Sequence, residues 1–230
     1  YIPELNSQYQ IDSIRGLDAE ISFNTTGYTQ LNNFKDIEYV GNFDPYRIWI
    51  RYAQSQWEIR AGLQKIDFGS AFALRPLQWF NQIDPRDPLQ ITNGVYGLLG
   101  RYYFLNNANI WLWGLYGNEE RRGIDLLKPD PGTPEFGGRI QLPLKKGEIG
   151  FSYHHKGSDY SIFSTERVDP IYTPENKFGF DVKLDVEIGL WFESSYSVLK
   201  EDLGVYNNQM FTTIGTDYTF GIGNGLNVIV

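Results

Sequence analysis

Ser152 and His154 stand two residues apart in an alternating segment, so both side chains leave the same face of a strand. A hydroxyl beside an imidazole can serve as nucleophile and base, which makes the pair a candidate for hydrolysing lipid or a surface polymer. Two such residues also meet on one strand face by accident, and no catalytic residue is expected. His154 and His155 are adjacent, point to opposite sides and cannot hold one metal together. With two histidines and no cysteine in 230 residues, neither a transition-metal site nor a disulfide framework is expected. Asp130-Pro131-Gly132 with Glu135 could hold calcium, but carboxylates of such loops are ordinarily just solvated. Glu119-Glu120-Arg121-Arg122 reads as a loop charge cluster. No cofactor is expected.

A second kind of chemistry lies in charges at alternating positions. Arg47, Arg51, Arg60, Arg101 and Arg139, interrupted by Glu58, precede Asp181, Glu187, Glu193 and Asp217, with Lys183 among them and Asp18 and Glu20 ahead. If all faced one lumen, a basic wall would oppose an acidic one and set up a transverse field that orients charged or dipolar solutes. The alternative is that these charges pair across neighbouring strands and keep the interior wet and rigid.

The elements that would position them are strands. Leu17, Ala19, Ile21 and Phe23 alternate with Asp18, Glu20, Ser22 and Asn24; Tyr46, Ile48, Ile50 and Tyr52 alternate with Arg47, Trp49 and Arg51. Trp57, Ile59, Ala61 and Leu63 oppose Glu58, Arg60, Gly62 and Gln64. Further strands read at 94–104, 108–118, 135–144, 148–156, 177–184, 186–197 and 209–222, and an eleventh begins at Leu226. Connections alternate in length: 25–44 long, 53–56 tight, 65–93 long, 105–107 tight, 119–134 long, 145–147 tight, 157–176 long, Asp185 tight, 198–208 long, 223–225 tight. Lys145-Lys146-Gly147 and Gly223-Asn224-Gly225 suit hairpin turns. Strict alternation of short and long is the mark of an up-and-down antiparallel barrel with turns at one end and loops at the other; Greek-key sandwiches have no reason to keep it.

Composition agrees. Hydrophobic residues are 41%, and mean hydropathy is −0.38; no stretch approaches the roughly 20 apolar residues of a spanning helix. Aromatic residues reach 16%, with 24 Gly and one Met, as expected where only alternate residues meet lipid. Tyr46, Tyr52, Trp57, Tyr102, Tyr153, Tyr196 and Tyr218 lie near strand ends, where interfacial girdles form. A net charge of −8 argues against nucleic acid as a partner.

Segment 65–93 is too apolar for a free surface loop: Phe72, Leu74, Leu77, Trp79, Phe80 and Ile83 all need burial. Folding inward would bury them and narrow a lumen, with Arg75, Trp79, Asp84, Arg86 and Asp87 as constriction residues. Gly62-Leu63-Gln64, then Asp67-Phe68-Gly69, then an Asp-Pro-rich run, resembles porin-type barrels of Gram-negative bacteria over about a fifth of the chain. That resemblance implies an outer-membrane location, contact with the bilayer and lipopolysaccharide, and passage of small polar or charged solutes. Against outer-membrane phospholipases, Ser152 and His154 stand in reversed order.

The reading is therefore all-β: one domain over 1–230, a transmembrane up-and-down barrel of about eleven strands. An odd count and Val230 inside a strand suggest part of a larger barrel. The expected function is a pore. The alternatives are a structural barrel holding an envelope or secretion partner, or assembling with copies of itself, and a lipid hydrolase.

Overall fold

The computed structural model describes residues 2–12, 15–32, 36–72, 74–81, 91–161 and 172–230, and of residues 28, 30–32 and 36–39 the backbone alone. Among these residues thirteen strands are present: β1 Glu4–Gln10, β2 Gly16–Asn32, β3 Asp36–Ala53, β4 Trp57–Gln64, β5 Val95–Tyr103, β6 Asn109–Leu115, β7 Lys128–Pro129, β8 Glu135–Leu144, β9 Gly147–Asp159, β10 Tyr172–Asp185, β11 Gly189–Leu199, β12 Asn208–Phe220 and β13 Leu226–Ile229. All pair antiparallel with their sequence neighbours in one up-and-down sheet, except that β7 pairs with the outer end of β9. β1 and β13 are not paired with each other, so the sheet is open.

Two expectations need correction. Among the described residues the count is thirteen rather than eleven: β1 offers only Leu5 and Tyr9 as apolar residues and is exposed throughout, and β7 is two residues ending in Pro129. The segment 25–44 is not a long connection. β2 and β3 continue through it as one tall hairpin, with Thr25 opposite Phe43 and Thr29 opposite Tyr39. Backbone pairing holds that hairpin together where its Thr, Asn and Gly content reads as loop. β10 likewise begins at Tyr172, and the turn after it spans 186–188. The described tight turns (54–56, 104–108, 145–146, 186–188, 221–225) still lie at one end and the long connections at the other.

Directly opposed residues share a face, so the register assigns every side chain. One face carries Asp18, Arg51, Arg60, Leu99, Trp113, Gly137, His154, Lys177 and Ser197 in successive cross-strand pairs. The other carries Ile21, Ile48, Ile50, Ile59, Leu98, Leu112, Phe136, Ile140, Phe151, Phe178, Leu190 and Ile214, all exposed. Arg139, Asp181, Glu193 and Lys156 are meanwhile buried. This is the reverse of the usual distribution of charged and apolar side chains. The sheet curls so that the charged face is concave, and what fills the concavity is residues 65–81.

Candidate functional site

The loop leaves β4 at Gln64 and crosses the concave face to β11, six strands along the sheet. Its first turn is tied by Arg75, which donates to Asp67 at 2.8 Å; Lys65 adds a pair to Asp67 at 3.3 Å. Ile66, Phe68, Leu77, Trp79 and Phe80 then pack with Val95, Leu99, Trp113 and Leu115 of β5 and β6 into the one large apolar cluster of the described interior. Phe68 stacks on Trp113 with centroids 5.6 Å apart, and Phe80 meets Trp113 edge-on at 5.4 Å. Each such side chain contributes about 1.5–3 kcal/mol by leaving water. This second layer inside the curl buries Leu77, Trp79 and Phe80 as expected, but Phe72 and Leu74 remain exposed, against the expectation, and Ile83 lies outside the described residues.

The far end is held by polar contacts. Glu193 on β11 is fully buried and accepts hydrogen bonds from the backbone N–H of Ala71 (3.0 Å) and of Leu77 (2.5 Å). The Trp79 indole N–H donates to Ser195 Oγ at 2.9 Å. Gly69 has φ 101° and presses on the Glu193 carboxylate, so a side chain there has neither the backbone conformation nor the space.

The charges meet in three groups along the concave face. Nearest the tight turns, Arg51 reaches Asp18 and also Glu58 (3.0 Å), Arg101 reaches Glu58 (2.9 Å) and lies over the Trp111 ring at 3.8 Å, and Trp49 donates to Glu20 at 2.9 Å. Arg60 lies over the Trp49 ring at 4.5 Å, without a carboxylate in ion-pair range among the described residues. At mid-height, Arg139 forms a two-point pair with Asp181 (2.5 and 2.9 Å) and donates to Ser152 Oγ (3.1 Å). Nearest the long connections, Arg122 pairs with Glu135, and Asp125 lies between the ammonium groups of Lys156 and Lys177. Burial pushes the Asp125 carboxyl up, but the two lysines outweigh it and hold it well below the usual carboxylate range.

The charges are therefore matched locally, across neighbouring strands and loops, rather than split into a basic and an acidic wall. Arg47 turns to the Thr92 carbonyl and hydroxyl (3.0 and 2.7 Å). Asp217 faces Gly189 on the concave side. Glu187 is exposed in the 186–188 turn, not on the wall: the strand begins at Gly189. Within the loop, Arg75 and Trp79 are placed as above, whereas Asp84, Arg86 and Asp87 lie outside the described residues.

Ser152 and His154 share the concave face but bind different partners. Trp113 Nε1–H donates to His154 Nδ1 (3.1 Å), which puts the ring proton on Nε2, 3.1 Å from Glu135. The imidazole is thus engaged at both nitrogens, and Ser152 belongs to Arg139. Asp130 accepts from the Gly132 N–H (2.9 Å) and the Thr133 hydroxyl, as in a self-contained turn. Glu135 is committed to Arg122 and His154, and no cluster of three potential metal ligands occurs among the described residues.

Lys156, Lys177 and Glu175 escaped the sequence reading. The signal was present: Lys156 and Lys177 close the expected strands 148–156 and 177–184 on the face of Ser152, His154 and Asp181, and Glu175 continues that face one step beyond. Asp125 gave none, because its position depends on how a long connection folds back. No protein-family model matches the sequence, and no curated protein matches it significantly.

Proposed function

We propose that this chain is an outer-membrane β-barrel channel for small polar or charged solutes, with residues 65–81 setting its bore. The observation that carries the reading is the inverted polarity: buried Arg139, Asp181, Glu193 and Lys156 on one face, exposed Ile, Leu and Phe on the other. In water, an apolar surface running across ten strands would far exceed the few hundred Å² that soluble monomers tolerate. Lipid requires such a surface, and only alternate residues then need be apolar. Bilayer and lipopolysaccharide cover the outward face in this reading, and solute passes along the Arg60 and Asp217 sides of the interior. The test is reconstitution in planar bilayers, where discrete conductance steps are expected. Protein that inserts and never conducts refutes the channel.

One observation favours a second reading, a sealed barrel that scaffolds an envelope partner or copies of itself. The interior charges are paired, and the loop fills much of the curl. Stoichiometric co-purification of a partner with a non-conducting barrel supports that alternative. Lipid hydrolysis has weaker support, since Ser152 is bound to Arg139; hydrolysis lost in Ser152→Ala is the result that restores it.

A further inference from the structure

We infer that Lys156 and Lys177 form a binding site for the carboxylate of a solute, and that Asp125 occupies it as a built-in substitute. The wall contributes both ammonium groups from adjacent strands β9 and β10, each fully buried. It contributes one carboxylate nearby, Glu175, at 3.5 Å from Lys156 and 3.8 Å from Lys177, and that group already accepts from the Ser158 hydroxyl at 2.5 Å. Two positive charges against one negative leave the wall one anion short, a costly state for buried ions. The missing anion comes from the long connection between β6 and β8. Asp125 gives one oxygen to each lysine, Oδ2 to Lys156 at 2.5 Å and Oδ1 to Lys177. A free carboxylate would use the same two points. A dianion such as sulfate overshoots the charge that balances the site.

Two further features bear on exchange of the substitute. The crevice beside the site holds only about 10 Å³, lined by Glu175, Lys177 and Ser195 and about equally by apolar side chains such as Leu127 and Phe211, so a solute enters only when the Asp125 segment moves. Near Asp125, Gly123 at φ 54° packs tightly against the backbone of Gln78 and Trp79, so the segment carrying Asp125 rests on the interior loop. Displacing Asp125 therefore lifts the segment that lies over residues 65–81, and an entering carboxylate loosens the plug. Because Asp125 stays ionised, the exchange is one anion for another, without a proton trigger.

The site rests on the channel reading only for its use, and the two fail separately: binding is read in detergent, conductance in bilayers. In calorimetry on the full chain, Asp125→Ala should bind gluconate at least tenfold more tightly than the unaltered protein. Adding Lys177→Met should abolish the gain, and glucose and sulfate should show none. Asp125→Asn, which keeps the shape and removes the charge, reads the same if the alanine variant fails to fold. In otherwise unaltered protein, gluconate should speed labelling of a thiol placed at buried Leu127, and glucose should not. Equal affinity in the Asp125 variants, a gain that survives Lys177→Met, or labelling indifferent to saturating gluconate overturns the assignment.

Discussion

Replacing Glu193 with Gln tests what holds the interior loop. The carboxylate presents two acceptor oxygens to two buried N–H groups, those of Ala71 and Leu77. An amide keeps one acceptor and turns an NH2 donor towards the other N–H, so one buried donor loses its partner. Leaving such a group unsatisfied costs about 1–3 kcal/mol, and the surviving bond also loses its charge assistance. Taking about 2 kcal/mol as the loss, the released fraction of the loop rises about thirtyfold, since about 1.4 kcal/mol is a factor of ten. The chain contains no cysteine, so Ala71→Cys, at a buried loop position, supplies a single reporter thiol. Where closing outruns labelling, its rate follows the open population, and Glu193→Gln should raise it about thirtyfold. Conductance should rise with it. A labelling rate within twofold of the parent refutes the argument that Glu193 anchors the loop.

Asp181→Ala should destabilise by about 3–5 kcal/mol, because it strands a buried Arg139; the double change Arg139→Met with Asp181→Leu should recover most of that, both read by urea unfolding. Gly69→Ala combines a left-handed backbone with a collision against Glu193 and should cost more than the roughly 1–2 kcal/mol of the backbone alone; a neutral effect on the midpoint contradicts it. Arg51→Gln should shift reversal potentials in a salt gradient towards cations more than Arg60→Gln, since it frees Asp18 and leaves Glu58 with Arg101 alone, while Arg60 has no carboxylate to release among the described residues. Asp125 is held below its ordinary 3.8, so its contribution is complete above the usual aspartate range and fades only as pH falls below it. Thiol labelling at Leu127 should accordingly be flat from pH 8 to about 5 once corrected for thiolate.

Alternation made the strands and their faces readable. β8 runs Glu135–Leu144 as its pattern predicts, and the tight turns fall where Lys-Lys-Gly and Gly-Asn-Gly put them. Where apolar alternation is sparse, the sequence shows no strand: β1, with only Leu5 and Tyr9, and the upper hairpin of β2 and β3 are held by backbone pairing, which leaves little trace in side-chain types. Leu77, Trp79 and Phe80 announced that part of the loop must be covered, though Phe72 and Leu74 are not. They did not announce that Glu193, more than a hundred residues later, would receive its backbone. The same limit explains the charges. Which face Arg51 and Arg139 occupy follows from parity, but which carboxylate each meets depends on cross-strand register. A one-residue slip would reassign every pair.

The central claim is that lipid covers one face of this sheet and an aqueous, polar interior the other. Adjacent residues test it directly, in single-cysteine variants of the vesicle-inserted protein treated with a hydrophilic maleimide. Gln141 and Thr213 lie on the concave face, beside the outward Ile140 and Ile214. Thiols at 141 and 213 should react and those at 140 and 214 should not. Reaction at 140 and 214 as fast as at 141 and 213 contradicts the account.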